Sequence, residues 1–437
     1  MKRKFRLSAP KLMVLGFAGL ILLGALILML PISSADGVVT PFLDALFTST
    51  TSACVTGLVV RDTGTYWSAF GHTVILLLIQ IGGLGVITVA ASFTMLAGKK
   101  ISLFQRSSMQ EAVAAPKMGG IVGFTGFLLK ATFLIEALGA VALCPAFIRD
   151  FGFLQGLWRA VFTSISAFCN AGIDLMGNYS SMTAYLSDPL VNIPLMALII
   201  IGGLGFLTWE DIRTHKLHLH CYRMQSKVIL TVSALLIIIP ALLFFFFEFS
   251  ELPLGSRIFA SLFQSVTTRT AGFNTADLSS MSQPGQMLMI VLMLIGGSPG
   301  STAGGLKTTT FAVLLGCVWA VFRKRESVQF YGRRIAQDVV ATAAALLVMY
   351  LTLCVGSAMI ISACEGLPLM ICLFETASAV ATVGCTLGLT PTLAPLSKCI
   401  LIALMYLGRV GGLTIIYATL SGNRQIGKLP LDKITVG

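Results

Sequence analysis

The chain has 437 residues, of which 56% are hydrophobic and only 11% are charged. Soluble domains carry about 25% charged residues, so this composition excludes a chain made of ordinary water-exposed domains. The mean hydropathy of +0.90 indicates a multi-pass membrane protein instead. The formal net charge of +12 is typical either of nucleic-acid binding or of membrane orientation, and the positions of the cations decide between them.

The first apolar run, from Leu12 to Leu30, contains no charged residue and is long enough to cross a bilayer core of about 30 Å. It is longer than the apolar region of about 7 to 15 residues in a signal peptide, so we favour a retained span over a cleaved signal. Further spans are predicted at 68–96, 121–143, 189–208, 228–247, 287–315, 339–364 and 399–420. The predicted fold is therefore an all-α polytopic membrane protein with eight transmembrane helices.

The cations cluster on one predicted face of the membrane. Of the 30 Lys and Arg, 21 lie near the N-terminus, in three alternate loops or in the C-terminal tail. The positive-inside rule makes this face cytoplasmic, so both termini are expected in the cytoplasm. Membrane orientation in the lipid bilayer accounts for the excess of positive charge, and we expect no nucleic-acid partner.

One segment recurs four times in the connections between odd and even spans. Its copies are FTSTTSACVTG at 47–57, FTSISAFCNAG at 162–172, FQSVTTRTAG at 263–272 and FETASAVATVG at 374–384. These segments are too short to be spans and too apolar to be free loops, so they are predicted to re-enter the membrane. The unit is a span, a re-entrant segment and a span, which gives repeats at 1–97, 98–210, 211–322 and 323–420 and a tail at 421–437.

Four re-entrant loops can surround one axis and form a pore within one protomer. Rings of backbone carbonyls replace the hydration shell of a cation, and glycine permits the backbone to turn its carbonyls inward. The C-terminal ends of four short helices would add partial negative charge. The predicted ion-binding filter residues are Cys54, Val55, Thr56, Gly57, Cys169, Asn170, Ala171, Gly172, Thr270, Ala271, Gly272, Thr382, Val383 and Gly384.

A second glycine signature follows each loop, as IGGLG at 81–85 and 201–205, IGGS at 295–298 and LGRV at 407–410. For the Gly-Gly-Leu-Gly segments we favour close helix packing by small residues. Arg409 stands where the other repeats have glycine. An arginine in mid-span costs about 2.5 to 3.5 kcal/mol, so we expect it to face a water-filled interior as an electrostatic barrier. A structural ion pair or a snorkelling side chain is the alternative.

The sixth predicted span contains five glycines and a proline within ten residues, which excludes a continuous helix there. A lysine follows, but Leu306 separates it from the last glycine and no strand precedes the segment, so it is not a phosphate-binding loop. The predicted gate consists of Gly296, Gly297, Ser298, Pro299, Gly300, Ser301, Thr302, Ala303, Gly304, Gly305, Lys307 and Arg409.

These motifs, in this order, resemble the filter loops and intramembrane loop of the Ktr/Trk/HKT superfamily, and are most similar to the KtrB-type membrane subunit. They are CVTGL at 54–58, CNAGI at 169–173, RTAGFN at 269–274, GGSPGSTAGGLKT at 296–308 and ATVGC at 381–385. The resemblance implies potassium uptake across a bacterial cytoplasmic membrane, gated by the loop at 296–305. Gly57 implies potassium selectivity, because a serine in the first loop accompanies sodium preference among plant relatives.

The resemblance also implies a homodimer with the tail at 421–437 in its interface, and a cytosolic KtrA-type ring of nucleotide-binding regulatory subunits. Potassium is the expected ion at the filter, sodium remains open as an activator, and neither an organic cofactor nor a transition metal is expected. A secondary, cation-coupled transporter with a midplane site at the broken sixth span is the alternative function. An enzyme is not expected, because the spans contain no pair of titratable groups with catalytic spacing.

Overall fold

The computed structural model describes residues 9–96, 103–112, 119–412 and 414. It is mostly helical, as predicted, and four successive parts of the chain share one order of elements. Each part has a long outer helix, a shorter buried helix, a loop and a second apolar helix. The charged segments and the tail that the sequence places at 1–8, 97–102, 113–118 and 415–437 lie outside the described residues.

The helices of the first two parts are α1 Ala9–Leu28, α2 Phe42–Ala53, α3 Thr63–Tyr66, α4 Ala69–Leu84, α5 Val86–Leu96, α6 Leu103–Ala112, α7 Ile121–Phe151, α8 Phe153–Cys169, α9 Pro189–Gly203 and α10 Phe206–His215. The last two parts contain α11 Met224–Leu243, α12 Leu254–Thr267, α13 Gln283–Leu294, α14 Thr308–Phe322, α15 Gln337–Glu365, α16 Leu369–Val380 and α17 Pro395–Val410. A π-helical turn, Phe244–Glu248, extends α11, and a hairpin of β1 Gln329–Phe330 and β2 Arg333–Arg334 joins α14 to α15.

Four helices within the described ranges are long and apolar enough to cross a membrane: Pro10–Leu28, Ile121–Phe151, Met224–Glu248 and Gln337–Glu365. The pair α9 and α10, bent by 99°, adds a fifth candidate if it is one span. These long helices expose large apolar side chains, such as Leu26 at 59% and Phe133 at 57%. Their outer faces therefore suit contact with lipid.

Three predicted spans are not continuous helices, and this corrects the sequence interpretation. The helices inside 68–96, 189–208 and 399–420 end at Leu84, Gly203 and Val410. The break includes Gly85, Gly205 or Gly411, each with a φ between 81° and 86° that side chains other than glycine rarely adopt. Packing alone was thus the wrong interpretation of the Gly-Gly-Leu-Gly segments, because their last glycine ends the helix.

The first two glycines of these segments do allow close packing. A Cβ atom at Gly82 would strike the backbone carbonyl of Ala53 at the end of α2, and one at Gly202 would strike that of Phe168 near the end of α8. Gly408 has the same relation to Val380 at the end of α16. The second apolar helix of each of these three parts therefore lies directly against the end of its short buried helix.

The buried helices α2, α8 and α12 are anchored to the long helices in the same way. Their serine hydroxyls donate hydrogen bonds to backbone carbonyls of α1, α7 and α11: Ser49 to Ile21 at 2.7 Å, Ser164 to Glu136 at 2.7 Å and Ser265 to Ile237 at 2.6 Å. Donor and acceptor are 28 residues apart in each case. This shared contact ties each of these buried helices to the long helix that precedes it.

Candidate cation pathway

Each buried helix runs into a loop with the same unusual backbone. The residue two positions before the loop glycine has a positive φ in all four copies: 57° at Val55, 60° at Asn170, 73° at Thr270 and 53° at Thr382. A left-handed conformation costs roughly 1 to 2 kcal/mol for a residue with a Cβ atom. Four such residues at matching positions indicate that the surrounding structure imposes this conformation.

The four loop glycines, Gly57, Gly172, Gly272 and Gly384, also have positive φ, between 64° and 105°. The residue between the two, which is Thr56, Ala171, Ala271 or Val383, does not have a positive φ. Positive φ thus occurs at alternate residues of each loop. In an ordinary β-strand, successive carbonyl groups point to opposite sides of the chain. When φ alternates in sign, successive carbonyl groups can point to the same side. This backbone can direct a row of carbonyl oxygens toward one axis.

The loops meet in a closed ring, in the order of the repeats. A Cβ atom at Gly57 would lie 2.6 Å from the carbonyl oxygen of Ala171, and one at Gly172 would lie 2.5 Å from that of Ala271. The corresponding atoms at Gly272 and Gly384 would lie closer still to the carbonyl oxygens of Val383 and Thr56. Each loop therefore touches the next, and the fourth touches the first. We call these four glycines with the carbonyls before them the glycine ring.

The backs of the loops are tied to their own helices. The backbone N–H groups of Thr56, Ala171 and Val383 each donate a hydrogen bond of 2.8 Å to a carbonyl five residues earlier. The N–H of Ala271 donates to Thr267 at 2.9 Å. Within the described ranges no hydrogen bond reaches the carbonyl oxygens of these four residues. The N–H groups of these residues are thus hydrogen-bonded to their own helices, and their carbonyl oxygens remain free to bind a cation.

Three threonine hydroxyls of the loops have no partner in the described part of the chain. The hydroxyls of Thr56, Thr270 and Thr382 are buried and have no hydrogen-bond partner among the residues described. Buried polar groups are normally satisfied by protein, water or an ion. Potassium and sodium ions are coordinated by neutral oxygen atoms such as these hydroxyls and the loop carbonyls. The residues present therefore fit a dehydrated monovalent cation.

A cavity of about 60 Å³ is lined by all four ring glycines and by residues that follow them in the chain, with no lining residue from the broken sixth span; we call it the outer mouth. Asp62 and Asp174 contribute carboxylates to this outer mouth. Asp62 accepts hydrogen bonds from the N–H of Thr65 at 2.9 Å and of Tyr179 at 2.6 Å, which joins the first two repeats. Burial, with the nearby charge of Asp62, raises the pKa of Asp174 to about 6.

The predicted break in the sixth span is present, because α13 ends at Leu294 and α14 begins at Thr308. The segment between them packs against the second repeat. Ser298 N–H donates to Gly203 O at 3.0 Å, Thr302 N–H donates to Gly202 O at 3.3 Å, and the Thr302 hydroxyl donates to Phe168 O at 3.1 Å. A Cβ atom at Gly304 would collide with the Thr382 hydroxyl. The segment therefore lies directly against loop residues of the glycine ring.

Arg409 contacts this segment. Its guanidinium donates to the carbonyl oxygen of Thr302 and, on the other side, to those of Gly82 and Gly83, the last at 3.1 Å. Lys307 donates from Nζ to the carbonyls of Ala303 at 2.8 Å and Gly304 at 3.3 Å. Neither cation forms an ion pair within the described part of the chain. The side chains of Arg409 and Lys307 thus contact the segment beside the ring without a carboxylate partner in the residues described.

Other intramembrane charges lie away from the ring axis. Arg269 follows the third buried helix and donates to the carbonyl and hydroxyl of Ser233 in α11, so it anchors the loop from behind. Glu136 in α7 accepts hydrogen bonds from the Gln80 amide at 3.0 and 3.3 Å. Each contact joins two different parts of the chain, α11 to the third loop and α4 to α7.

Sequence reasoning did not identify Glu375 as a site residue. This carboxylate lies in α16, is 0% exposed, and accepts hydrogen bonds from the hydroxyls of Thr386 and Thr390 just beyond the fourth loop. The available signal was its place in the repeated segment, where the other copies have Thr48, Thr163 and Gln264. A charge at one of four matching positions marks an asymmetry of the ring.

A closed ring of four loops beside a broken helix is the arrangement expected of a membrane transport protein for cations. The family model described as "TrkH: Cation transport protein" matches residues 20–423, so the chain belongs to this family. It is 41% identical to the potassium/sodium uptake protein NtpJ of Enterococcus hirae, over 99% of this chain and 98% of that protein. It is 38% identical to the Ktr system potassium uptake protein B of Bacillus subtilis, over 99% and 97%.

The fold is also similar to a solved structure. The crystal structure of the potassium transporter TrkH from Vibrio parahaemolyticus matches with a TM-score of 0.75 and 19% sequence identity, covering 96% of this chain and 86% of that chain. The chain is therefore a multi-pass membrane protein of the Ktr/Trk superfamily and of the KtrB type, with a TrkH-like fold.

Proposed function

We propose that this protein takes up potassium ions through the glycine ring. The observation that carries the proposal is the closed contact of four loops, each of which presents an unpaired carbonyl oxygen toward its neighbour's glycine. A cation at the centre would exchange water oxygens for these carbonyl oxygens. Glycine at all four positions supports potassium as the cargo, as do the known potassium uptake proteins among the relatives.

The segment 296–305 is proposed as the gate. Its backbone is open, it touches the fourth loop through Gly304, and its conformation is held by Arg409 and Lys307. Two positive charges beside a narrow passage repel a dehydrated cation, because Coulomb energies are large where water is scarce. Movement of this segment together with Arg409 would remove the barrier without any change in the ring.

The architecture and assembly are proposed on the same basis. Eight spans in four repeats, at 1–97, 98–210, 211–322 and 323–420, would surround one pore per protomer, with both termini in the cytoplasm of a bacterial cell. The tail at 421–437 would contribute to a homodimer interface. A cytosolic ring of nucleotide-binding subunits of the KtrA type would bind the cytoplasmic face and control the gate.

The function is tested by cation flux into proteoliposomes that contain the full chain. We expect downhill, electrogenic potassium uptake that exceeds sodium uptake under equal gradients; strict stoichiometric coupling to a second ion would favour the cation-coupled transporter instead. Sodium added at constant potassium tests whether it is an activator. The same assay compares the potassium-to-sodium selectivity of two serine variants, Gly57→Ser in the ring and Gly37→Ser outside it.

In Gly57→Ser the new side chain meets the Ala171 carbonyl, so we expect potassium-to-sodium selectivity to fall at least about tenfold. Gly37→Ser is the matched control, because Gly37 also has a positive φ, 68°, but no atom within 4 Å of its Cβ position. Equal selectivity in the two variants would reject the glycine ring as the filter.

A further inference from the structure

The fourth buried helix contains a carboxylate with an unusual set of partners. Glu375 lies in mid-helix in α16 and is 0% exposed. It accepts hydrogen bonds from the hydroxyls of Thr386 and Thr390, the second at 3.0 Å. Each carboxylate oxygen accepts one hydroxyl hydrogen bond, so the side chain is held in place, while these neutral donors supply no positive charge.

This carboxylate has no cationic partner in the described ranges, whereas others do. Asp44 forms ion pairs with Arg61 at 2.8 Å and with Lys398 at 3.0 Å. Asp211 lies 3.5 Å from Arg223. Glu136 in α7 also has no cation in these ranges, and its hydrogen-bond donor is the neutral amide of Gln80.

A buried charge without a partner is unfavourable, and proteins normally pair it or bind a cation to it. Thr386 connects Glu375 to the outer mouth, because Thr386 both donates to the carboxylate and lines the cavity that the ring glycines share. The carboxylate is thus one hydrogen bond from the pathway. The positions equivalent to Glu375 in the other repeats are neutral, so its charge enters the ring from one side only.

We infer that the transported cation is itself the counter-ion of Glu375, so that this residue sets the affinity of the glycine ring for potassium. The inference rests on the proposed function and deepens it. Glu375 does not touch the ion; it acts through space and through the Thr386 and Thr390 hydroxyls. A cation in the ring would compensate the carboxylate, and the carboxylate would offset part of the ion's dehydration.

The test measures the potassium concentration that gives half-maximal uptake by the full chain in proteoliposomes. Glu375→Gln removes the charge at nearly constant volume, and we expect this concentration to rise about tenfold while the maximal rate changes less than about threefold. Glu375→Asp keeps the charge and loses reach, and Thr390→Val keeps the charge and loses one hydrogen bond. We expect both of these variants to stay within about threefold of the wild type.

A second readout needs no flux. Potassium that binds the folded protein raises its thermal midpoint, and the concentration required should rise in Glu375→Gln in the same proportion as for uptake. Unchanged potassium dependence in Glu375→Gln would overturn the inference, as would an equal shift in Glu375→Asp or Thr390→Val, since a purely structural clamp predicts that result. Wild-type protein without potassium uptake would instead refute the proposed function.

Discussion

The closed ring makes its most direct prediction at Gly384. A Cβ atom there would strike the carbonyl oxygen of Thr56 and approach the Cα atom of Gly57 to 2.8 Å. Gly384 also has a φ of 95°, which a side chain disfavours by roughly 1 to 2 kcal/mol. Overpacking against backbone adds typically 1 to 3 kcal/mol. Gly384→Ala should therefore disfavour the closed ring by about 2 to 5 kcal/mol.

Because Gly384 contacts a ring carbonyl, the strain in Gly384→Ala should weaken ion binding by the ring. Each 1.4 kcal/mol is a factor of ten in an equilibrium constant, so we expect potassium flux to fall about 30-fold or more. The assay is initial potassium uptake into proteoliposomes, with the thermal midpoint of the purified protein as a measure of folding. Flux is expected to fall even where the variant still folds, because the strain lies in the ring and not in the lipid-facing helices.

Gly388→Ala is the matched control four residues further along the same loop. Gly388 has a similar φ, 89°, but nothing lies within 4 Å of its Cβ position, so only the conformational part of the penalty applies. We expect its potassium flux to stay within about threefold of the wild type. Equal losses in the two variants, or wild-type flux and selectivity in Gly384→Ala, would refute the closed ring.

Two further predictions concern the gate and the outer mouth. Arg409→Ala removes a charge and the hydrogen bonds to Thr302, Gly82 and Gly83, so basal potassium flux should rise severalfold, whereas Arg409→Lys, which keeps the charge, should raise it less. Unchanged flux and gating in Arg409→Ala would contradict the barrier. The pKa of Asp174 near 6 makes this carboxyl mostly neutral at external pH 5 and ionised at pH 7.5, so uptake at low potassium should be a few-fold faster at pH 7.5. Asp174→Asn should flatten this difference, and an unaltered pH profile in that variant would assign the effect to another group.

Part of the site could be predicted because it is local. The four segments and their glycines recur in the sequence, and a short apolar helix followed by glycine carries its own signal. The break in the sixth span followed from proline and glycine chemistry alone. The breaks at Gly85, Gly205 and Gly411 were missed, because an isolated glycine in an apolar run is compatible both with helix packing and with a helix end.

The positive φ of Val55 and Thr382 could not be predicted. A β-branched residue disfavours the left-handed region, so local preference indicates an ordinary conformation. Hydrogen bonds from the following residues back to the buried helices impose the observed one, such as Thr56 N–H to Thr51 O at 2.8 Å. Glu375 was missed for a related reason: its partners Thr386 and Thr390 are ordinary loop residues until the fold brings them to the carboxylate.

The sequence by itself determined the class of protein, the four loop segments, the broken sixth span and the unusual Arg409, because composition, repetition and helix-breaking residues are properties of the chain read locally. Tertiary structure decided that the loops close in cyclic order and that Arg409 joins Thr302, 107 residues away, to Gly82, 327 residues away. It also decided that a buried carboxylate is fixed behind one side of the ring. These features depend on contacts between distant residues, whose energies are settled only when all four repeats pack together.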